Sequence, residues 1–241
     1  MPALIPVRDD RGRRGPTIVT TGIIGIWIVA YIAAVQSTPA EYQAFQHHFG
    51  LDIDGWNERF STMGHASGLA KLWHLGALIV PLITYKLLHA GPIHLFANVF
   101  TFWVFGGRIE ARAGWFRFLL FHELVGVAVA AAELWQGARS GVVLGASGTV
   151  AGSITAYLCL HFQSRVRVMF PLLVWPVFFD IPAVVVVLCW CGLQIPNVVR
   201  LLQFDQARPV AWIGFLAGAV SAFALLPLIT VGRTPSKKAA R

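Results

Sequence analysis

Long apolar runs separated by short charged connections are the feature that most constrains how this chain folds. Six runs cover, approximately, residues 17–35, 76–105, 115–135, 147–162, 181–195 and 210–231. The first is close to the roughly 20 residues that an α-helix needs to cross the hydrocarbon core of a bilayer. Only 12% of the residues are charged and 56% are hydrophobic, which is typical of proteins that cross a membrane several times. The sequence therefore predicts an all-α polytopic membrane protein with six transmembrane helices.

The polar segments predict how these helices are oriented. We expect a basic leader over residues 1–16, a membrane domain over 17–231 with a long first loop over 36–80, and a basic tail over 232–241. Of the 19 lysines and arginines, 13 fall on the side that carries both termini and six fall on the other side. Because positively charged loops stay in the cytoplasm, both termini are predicted to be cytoplasmic and the first loop external.

Charge and cysteine usage argue against two other classes of protein. The net charge of +8 would suit nucleic-acid binding, but the basic residues are dispersed between apolar runs, so no nucleic-acid partner is predicted. The three cysteines lie in apolar stretches and do not suggest a disulfide framework. His47 and His48 lack further ligands at a spacing that suits a metal ion, so neither a metal nor another cofactor is predicted.

A serine surrounded by small residues opens the fourth apolar run, in the sequence Gly145-Ala146-Ser147-Gly148. Gly148 and Gly152 repeat at four residues, a spacing that lets two membrane helices pack closely. A second interpretation is that Ser147 is a nucleophile at the start of a helix, where its backbone N–H is available to an oxyanion. The two interpretations are compatible with each other.

Two polar side chains lie inside the second run. Gly91-Pro92 predicts the start of a helix, because proline is favoured in the first turn. His94 and Asn98 then fall four residues apart, on one face of that helix. Polar groups at such a depth are expected to face a cavity or a partner, which makes the pair a candidate functional site. The alternative is a hydrogen bond that joins two helices.

Taken together, these motifs resemble the rhomboid family of intramembrane serine proteases, over nearly the whole chain. The resemblance is carried by residues 88–98 (LHAGPIHLFAN), by residues 105–110 (FGGRIE) and by residues 145–148 (GASG). Residues 7–10 (VRDD) and 180–183 (DIPA) are similar to the bacterial branch of the family, which implies a bacterial inner membrane.

The resemblance implies a six-helix bundle with a serine endopeptidase site below the external membrane surface, and transmembrane helices as its substrates. By the same resemblance, Ser147 is the nucleophile, and His94, Asn98 and the Ser147 N–H stabilise the oxyanion. His89, Gly145 and Gly148 support the site.

One departure from the family pattern concerns the general base that a serine nucleophile needs. In the family a histidine stands three residues before a pair of glycines on the sixth helix, and here that position is Ala211, before Gly214 and Gly218. No histidine follows His161, which lies roughly 21 Å beyond Ser147 at 1.5 Å per helical residue. Asp205 or a water molecule would be a weaker base.

Two functions therefore remain open on the sequence. The first is an intramembrane serine endopeptidase with an unconventional base. The second is a proteolytically inactive relative, a pseudoprotease that binds the transmembrane helices of client proteins without cutting them. A transporter or channel is less favoured, because the polar residues gather towards one membrane face instead of forming a path across the bundle. Neither the client nor the oligomeric state follows from the sequence.

Overall fold

The computed structural model describes residues 5–9, 16–136, 141–172, 175–192 and 212–231. Within this part of the chain the helices are α1 (Ile18–Gln36), α2 (Pro39–Phe49), α3 (Ile53–Met63), α4 (Gly68–Thr84), α5 (Pro92–Ala113), α6 (Trp115–Gln136), α7 (Ser147–His161), α8 (Ala183–Gly192), α9 (Trp212–Ala224) and α10 (Leu226–Thr230), with a 3₁₀ turn at Tyr85–Leu87. The strands are β1 (Ile5–Asp9), β2 (Leu51–Asp52), β3 (Val142–Val143), β4 (Arg165–Leu172) and β5 (Trp175–Pro182).

The predicted helices α1, α5, α6, α7, α8 and α9 are all present, and the all-α polytopic fold class is confirmed. Helix α7 packs against α5, α6 and α9, so it lies at the centre of the bundle. Three of the described segments are long and apolar enough to cross a membrane by length and composition, namely Ile18–Gln36, Gly68–Leu87 and Trp115–Gln136. The lipid-facing character of α1 is clear from side chains such as Val29 and Val35, which are exposed although apolar.

A buried carboxylate fixes α5 against the start of α1. Glu110 accepts hydrogen bonds from the backbone N–H groups of Val19 and Thr20 at 2.9 and 2.8 Å, and from the Thr20 hydroxyl at 2.7 Å. These N–H groups belong to the first turn of α1, where no acceptor exists within the helix. The negative charge also suits the positive end of the helix dipole. This contact holds the two helices antiparallel.

The segment 106–114, predicted to be a short polar connection, is helical up to Ala113, so that prediction is wrong. Gly106 and Gly107 are buried, and a Cβ at Gly106 would lie 2.9 Å from the Phe102 ring. The polar residues of this segment belong to the helix because one of them, Glu110, accepts hydrogen bonds from the N-terminus of α1. The turn itself comes at Gly114, whose φ is +87°.

The first loop, residues 36–80, folds into α2, α3 and most of α4 at the end of the bundle that carries Ser147. Strand β2 pairs with β3, which immediately precedes that serine. The indole N–H of Trp56 on α3 donates to the Leu78 carbonyl on α4 at 3.0 Å, and the Thr84 hydroxyl donates to the Phe49 carbonyl at 2.6 Å. Both ends of the loop are therefore anchored at one end of the bundle.

Strands β1, β4 and β5 form an antiparallel sheet in the order β1-β4-β5, which sequence reasoning missed. Strand β1 lies in the segment predicted as a basic leader, and β4 and β5 occupy the connection between the fourth and fifth apolar runs. Residues 197–209, Ala211 and the tail 232–241 lie outside the described residues.

Candidate serine site

The site is built at the point where the chain enters α7. Ser147 is the first residue of this helix and is partly buried. Gly145, two residues earlier, has a φ of +114°, a conformation that side chains rarely adopt. Its N–H donates to the Tyr85 carbonyl at 3.0 Å, which ties the turn to the segment before α5. The N–H groups of the first turn of α7 have no acceptor within the helix, so they can bind a negatively charged or carbonyl oxygen.

The structure brings His94 against this turn. A Cβ added at Gly145 would lie 2.5 Å from Cε1 and 3.0 Å from Nε2 of His94, so only glycine leaves room for the ring. The His89 ring lies 5.2 Å from that of His94, centroid to centroid, in an edge-on arrangement. On its other side, His89 lies 5.4 Å from the indole of Trp27 on α1. The predicted residues of the second and fourth helices therefore meet at one end of the bundle.

Several polar atoms beside this turn are buried without a hydrogen-bond partner among the described residues. They include Nδ2 of Asn98 and both ring nitrogens of His89, with side chains of which 5% and 2% of the surface is exposed. Asn98 follows His94 by one helical turn, on the same face of α5. Because an unpaired buried donor costs free energy, such groups are available to bind an acceptor that enters the site.

No imidazole serves as the base for Ser147 in this structure. All eight histidines of the chain lie among the described residues, and none is hydrogen-bonded to the Ser147 hydroxyl. His161 is at the opposite end of α7, where its ring contacts Tyr157. His122 on α6 is packed between the rings of Phe102 and Phe118. Ala211, the position of the family's base, lies outside the described residues.

A seam of glycines joins α7 to α9. A Cβ at Gly148 would lie 3.0 Å from the Gly214 carbonyl oxygen, and a Cβ at Gly152 would lie 3.1 Å from that of Gly218. At Gly218 an added Cβ would collide with the carbonyl of Gly148. The two helices run parallel, since Gly148 faces Gly214 and Gly152 faces Gly218. This seam is the close packing that the Gly148–Gly152 spacing predicts.

An ion pair beneath the turn was not recognised as a pair from the sequence. Lys86, of which 1% is exposed, lies 2.6 Å from the Glu123 carboxylate on α6, measured from Nζ to Oε2. The neighbouring Tyr85 hydroxyl donates to the Gly126 carbonyl at 3.0 Å. Residues 85 and 86 therefore clamp the site to α6. The sequence does show one positive and one negative side chain, each within an apolar run. Whether the two form a pair depends on the relative positions of their helices, which the sequence does not give.

Elsewhere, His47 bonds Asp52 at 2.8 Å between Nδ1 and Oδ2. Within the described residues, no group of three or more histidine, cysteine, aspartate or glutamate side chains is arranged to hold a metal ion.

These features define a polytopic membrane protein with a serine at a helix start and a histidine packed against the turn before it. The family model of the rhomboid domain matches residues 71–231, about two thirds of the chain. The chain belongs to the rhomboid family.

A curated human protein, inactive rhomboid protein 2, is 31% identical over 148 residues. The match covers 60% of this chain and 15% of that protein. The chain thus corresponds to a small part of the relative's length.

Proposed function

We propose that this protein is a rhomboid pseudoprotease, which binds transmembrane helices of client proteins at the Ser147 site without cleaving them. The observation that carries the proposal is that no histidine is hydrogen-bonded to the Ser147 hydroxyl, although every histidine is described. Losing one member of a serine–histidine unit leaves only the roughly 10³–10⁴-fold acceleration that the oxyanion hole and binding supply. That rate is too low for a working protease.

The remaining groups are suited to holding a peptide backbone. His94 and Asn98 on α5, and the N–H groups of the first turn of α7, would act together as donors to one carbonyl oxygen. A carbonyl of a client segment that has partly left its helical conformation would accept hydrogen bonds from these donors. In a membrane such bonds replace those that water cannot supply. The site would therefore favour clients whose helices open near their ends.

A second candidate function is the intramembrane serine endopeptidase itself. It is favoured by Ser147, His94 and Asn98, which are all retained at one end of the bundle. In this case the proton of the Ser147 hydroxyl would pass to a group that is not one of the histidines as they are placed here. The bound client or a water molecule would have to complete the site.

The proposal includes an orientation in the membrane. Thirteen of the 19 basic residues lie on the side of the two termini, which supports cytoplasmic termini and an external Ser147 end. A bacterial inner membrane is proposed from the likeness of residues 7–10 and 180–183 to the bacterial branch.

Co-expression with a panel of single-span membrane proteins, each tagged at its external end, separates the two functions. Two quantities are followed, the release of a cleaved tag and the amount of full-length client that co-purifies. For a pseudoprotease, at least one client co-purifies intact, and Ser147→Ala leaves both quantities unchanged. For a protease, Ser147→Ala abolishes tag release and raises the yield of intact client. Absence of both binding and cleavage over a broad panel would contradict the proposal.

A further inference from the structure

The hairpin β4–β5 connects two membrane helices directly. Three residues separate its first strand from the end of α7, and α8 starts at the residue after Pro182. The Ala183 N–H donates to the Ser164 carbonyl at 2.9 Å, which closes the base of the hairpin. The base therefore lies at the membrane end opposite to Ser147. At about 3.3 Å per residue, two strands of eight residues extend roughly 25 Å from this base.

One face of the hairpin is polar near its base. Arg167 binds both carboxylate oxygens of Asp180, through Nε at 2.9 Å and Nη2 at 2.8 Å. Arg165 donates to the Asp180 carbonyl at 2.7 Å. Arg167 and Asp180 stand directly opposite each other in the strand register, so both point to the same side. These hydrogen bonds stiffen the hairpin and fix which face carries the charges.

The other face is apolar, and its side chains become more exposed from the base of the hairpin towards the tip. Near the base, Val166 and Val168 are fully buried, and they stand opposite Ile181 and Phe179 in the register. Because side chains alternate along a strand, Val177 and Trp175 continue the face on which Phe179 lies. Phe179 and Val177 are 40% and 41% exposed, and Trp175 near the tip is 78% exposed.

We propose that the outer part of this face, Trp175, Val177 and Phe179, rests on the bilayer surface, at the boundary between headgroups and acyl chains. A hairpin rooted at the membrane that pointed into water would leave these three side chains solvated. Tryptophan and other aromatic side chains prefer the interfacial region of a bilayer. The hairpin also carries two arginines for one aspartate, and a net positive charge suits an anionic leaflet.

Site-specific fluorescence quenching tests this proposal in the full chain, reconstituted in nanodiscs of phosphatidylcholine and phosphatidylglycerol. In a background with Cys159→Ser, Cys189→Ser and Cys191→Ser, one cysteine is introduced and labelled with bimane. Phe179→Cys and Val177→Cys probe the apolar face. Phe178→Cys, between them and also exposed at 52%, is the matched control on the opposite face, which carries Arg167 and Asp180 nearer the base. Quenching by doxyl-labelled lipid and by aqueous iodide is measured at each position.

The expected result alternates along the strand. Lipid quenching is several-fold stronger at positions 177 and 179 than at 178, and iodide quenching has the opposite order. Equal access of iodide to all three positions would overturn the proposal. So would protection from both quenchers at 177 and 179, because a second copy or another protein segment would then cover this face. Thermal unfolding of each single-cysteine variant is compared with that of the cysteine-free parent, and only variants that unfold like the parent are used, so that equal quenching cannot come from a disrupted hairpin.

Discussion

The two helices that flank the start of α7 contribute to the serine site in different ways. On the α5 side, His94 fills the space above Gly145, the Gly145 N–H is bonded to the Tyr85 carbonyl, and Asn98 is buried one helical turn beyond His94. On the α9 side, the contact consists of glycine backbone, with Gly148 against the Gly214 carbonyl. One side supplies hydrogen-bond donors and the other supplies only close packing.

This difference separates binding from chemistry. Donors placed around a carbonyl can hold it without a base, whereas attack by a serine needs a group that accepts its proton. The α5 side retains what a bound carbonyl would use, and α9 lacks the imidazole that would activate the nucleophile. The proposed function, retaining a client helix without cutting it, rests on this difference.

The largest expected effect comes from breaking the α9 side. Gly148→Leu places a side chain where a Cβ alone would lie 2.8 Å from Val129 and 3.0 Å from the Gly214 carbonyl. The obstacles are the Val129 side chain on one side and the Gly214 backbone on the other. Because leucine adds three further carbons beyond Cβ, overpacking should destabilise the protein by about 3 kcal/mol, the upper end of the usual range. Thermal unfolding in detergent measures this change. Gly22→Leu on α1, where nothing lies within 4 Å of an added Cβ, is the matched control and should unfold close to wild type. If Gly148→Leu unfolded at the same temperature as wild type, the packing of α7 against α9 could not be as close as described.

A smaller loss is expected from weakening the support of the α5 side. Lys86→Met leaves the Glu123 carboxylate without its partner in an apolar region. Removing one member of a buried ion pair typically destabilises a protein by about 3–5 kcal/mol. Because one third of the Glu123 side chain is exposed to solvent, we expect a loss at or below the lower end of this range. Thermal unfolding of Lys86→Met, Glu123→Gln and the double variant forms a cycle. The double variant should recover part of the loss. Strictly additive losses would contradict a direct interaction.

The smallest effect concerns the first loop, which is paired to the turn before Ser147 through β2 and β3. Hydrogen bonds from the Thr38 backbone N–H and hydroxyl hold the pKa of Glu41 below its ordinary value. Since the folded pKa is the lower one, the stabilisation of α2 is complete above the ordinary glutamate pKa. It is lost as the pH falls through the folded value. The protection factors of the α2 amides, which are corrected for the intrinsic pH dependence of exchange, should therefore fall as the pH is lowered through this range, and Glu41→Gln should remove that dependence. An unchanged profile in Glu41→Gln would exclude the capping role.

The sequence predicts the helices well because apolar length and proline or glycine boundaries are local signals. The start of α5 at Pro92 and of α7 at Ser147 agree with the predictions, and both elements carry candidate site residues. By contrast, the sheet joins Ile5–Asp9 to residues more than 150 positions away, and its apolar strands resemble an interfacial membrane segment. Pairing at such a separation is set by the packing of the bundle.

Two further misses have the same physical origin. Glu110 looked like part of a polar turn, but its carboxylate is required at the start of α1, which keeps the surrounding residues helical. The Lys86–Glu123 pair depends on how α6 is rotated relative to the 3₁₀ turn before α5. Both depend on contacts between elements. The catalytic or binding roles of Ser147, His94 and Asn98 remain predictions.

Labelling of the purified protein with a fluorophosphonate probe tests most directly whether Ser147 is activated. Wild type is compared with Ser147→Ala and with Ala211→His, and a soluble serine hydrolase shows that the probe is reactive. A site without a base predicts no labelling of wild type above the level of Ser147→Ala. Labelling of Ala211→His would show in addition that the donors on the α5 side can still support reaction at Ser147 once a base is supplied. Labelling of wild type that disappears in Ser147→Ala would contradict the account, because the serine would then have a base and the protein would be a protease.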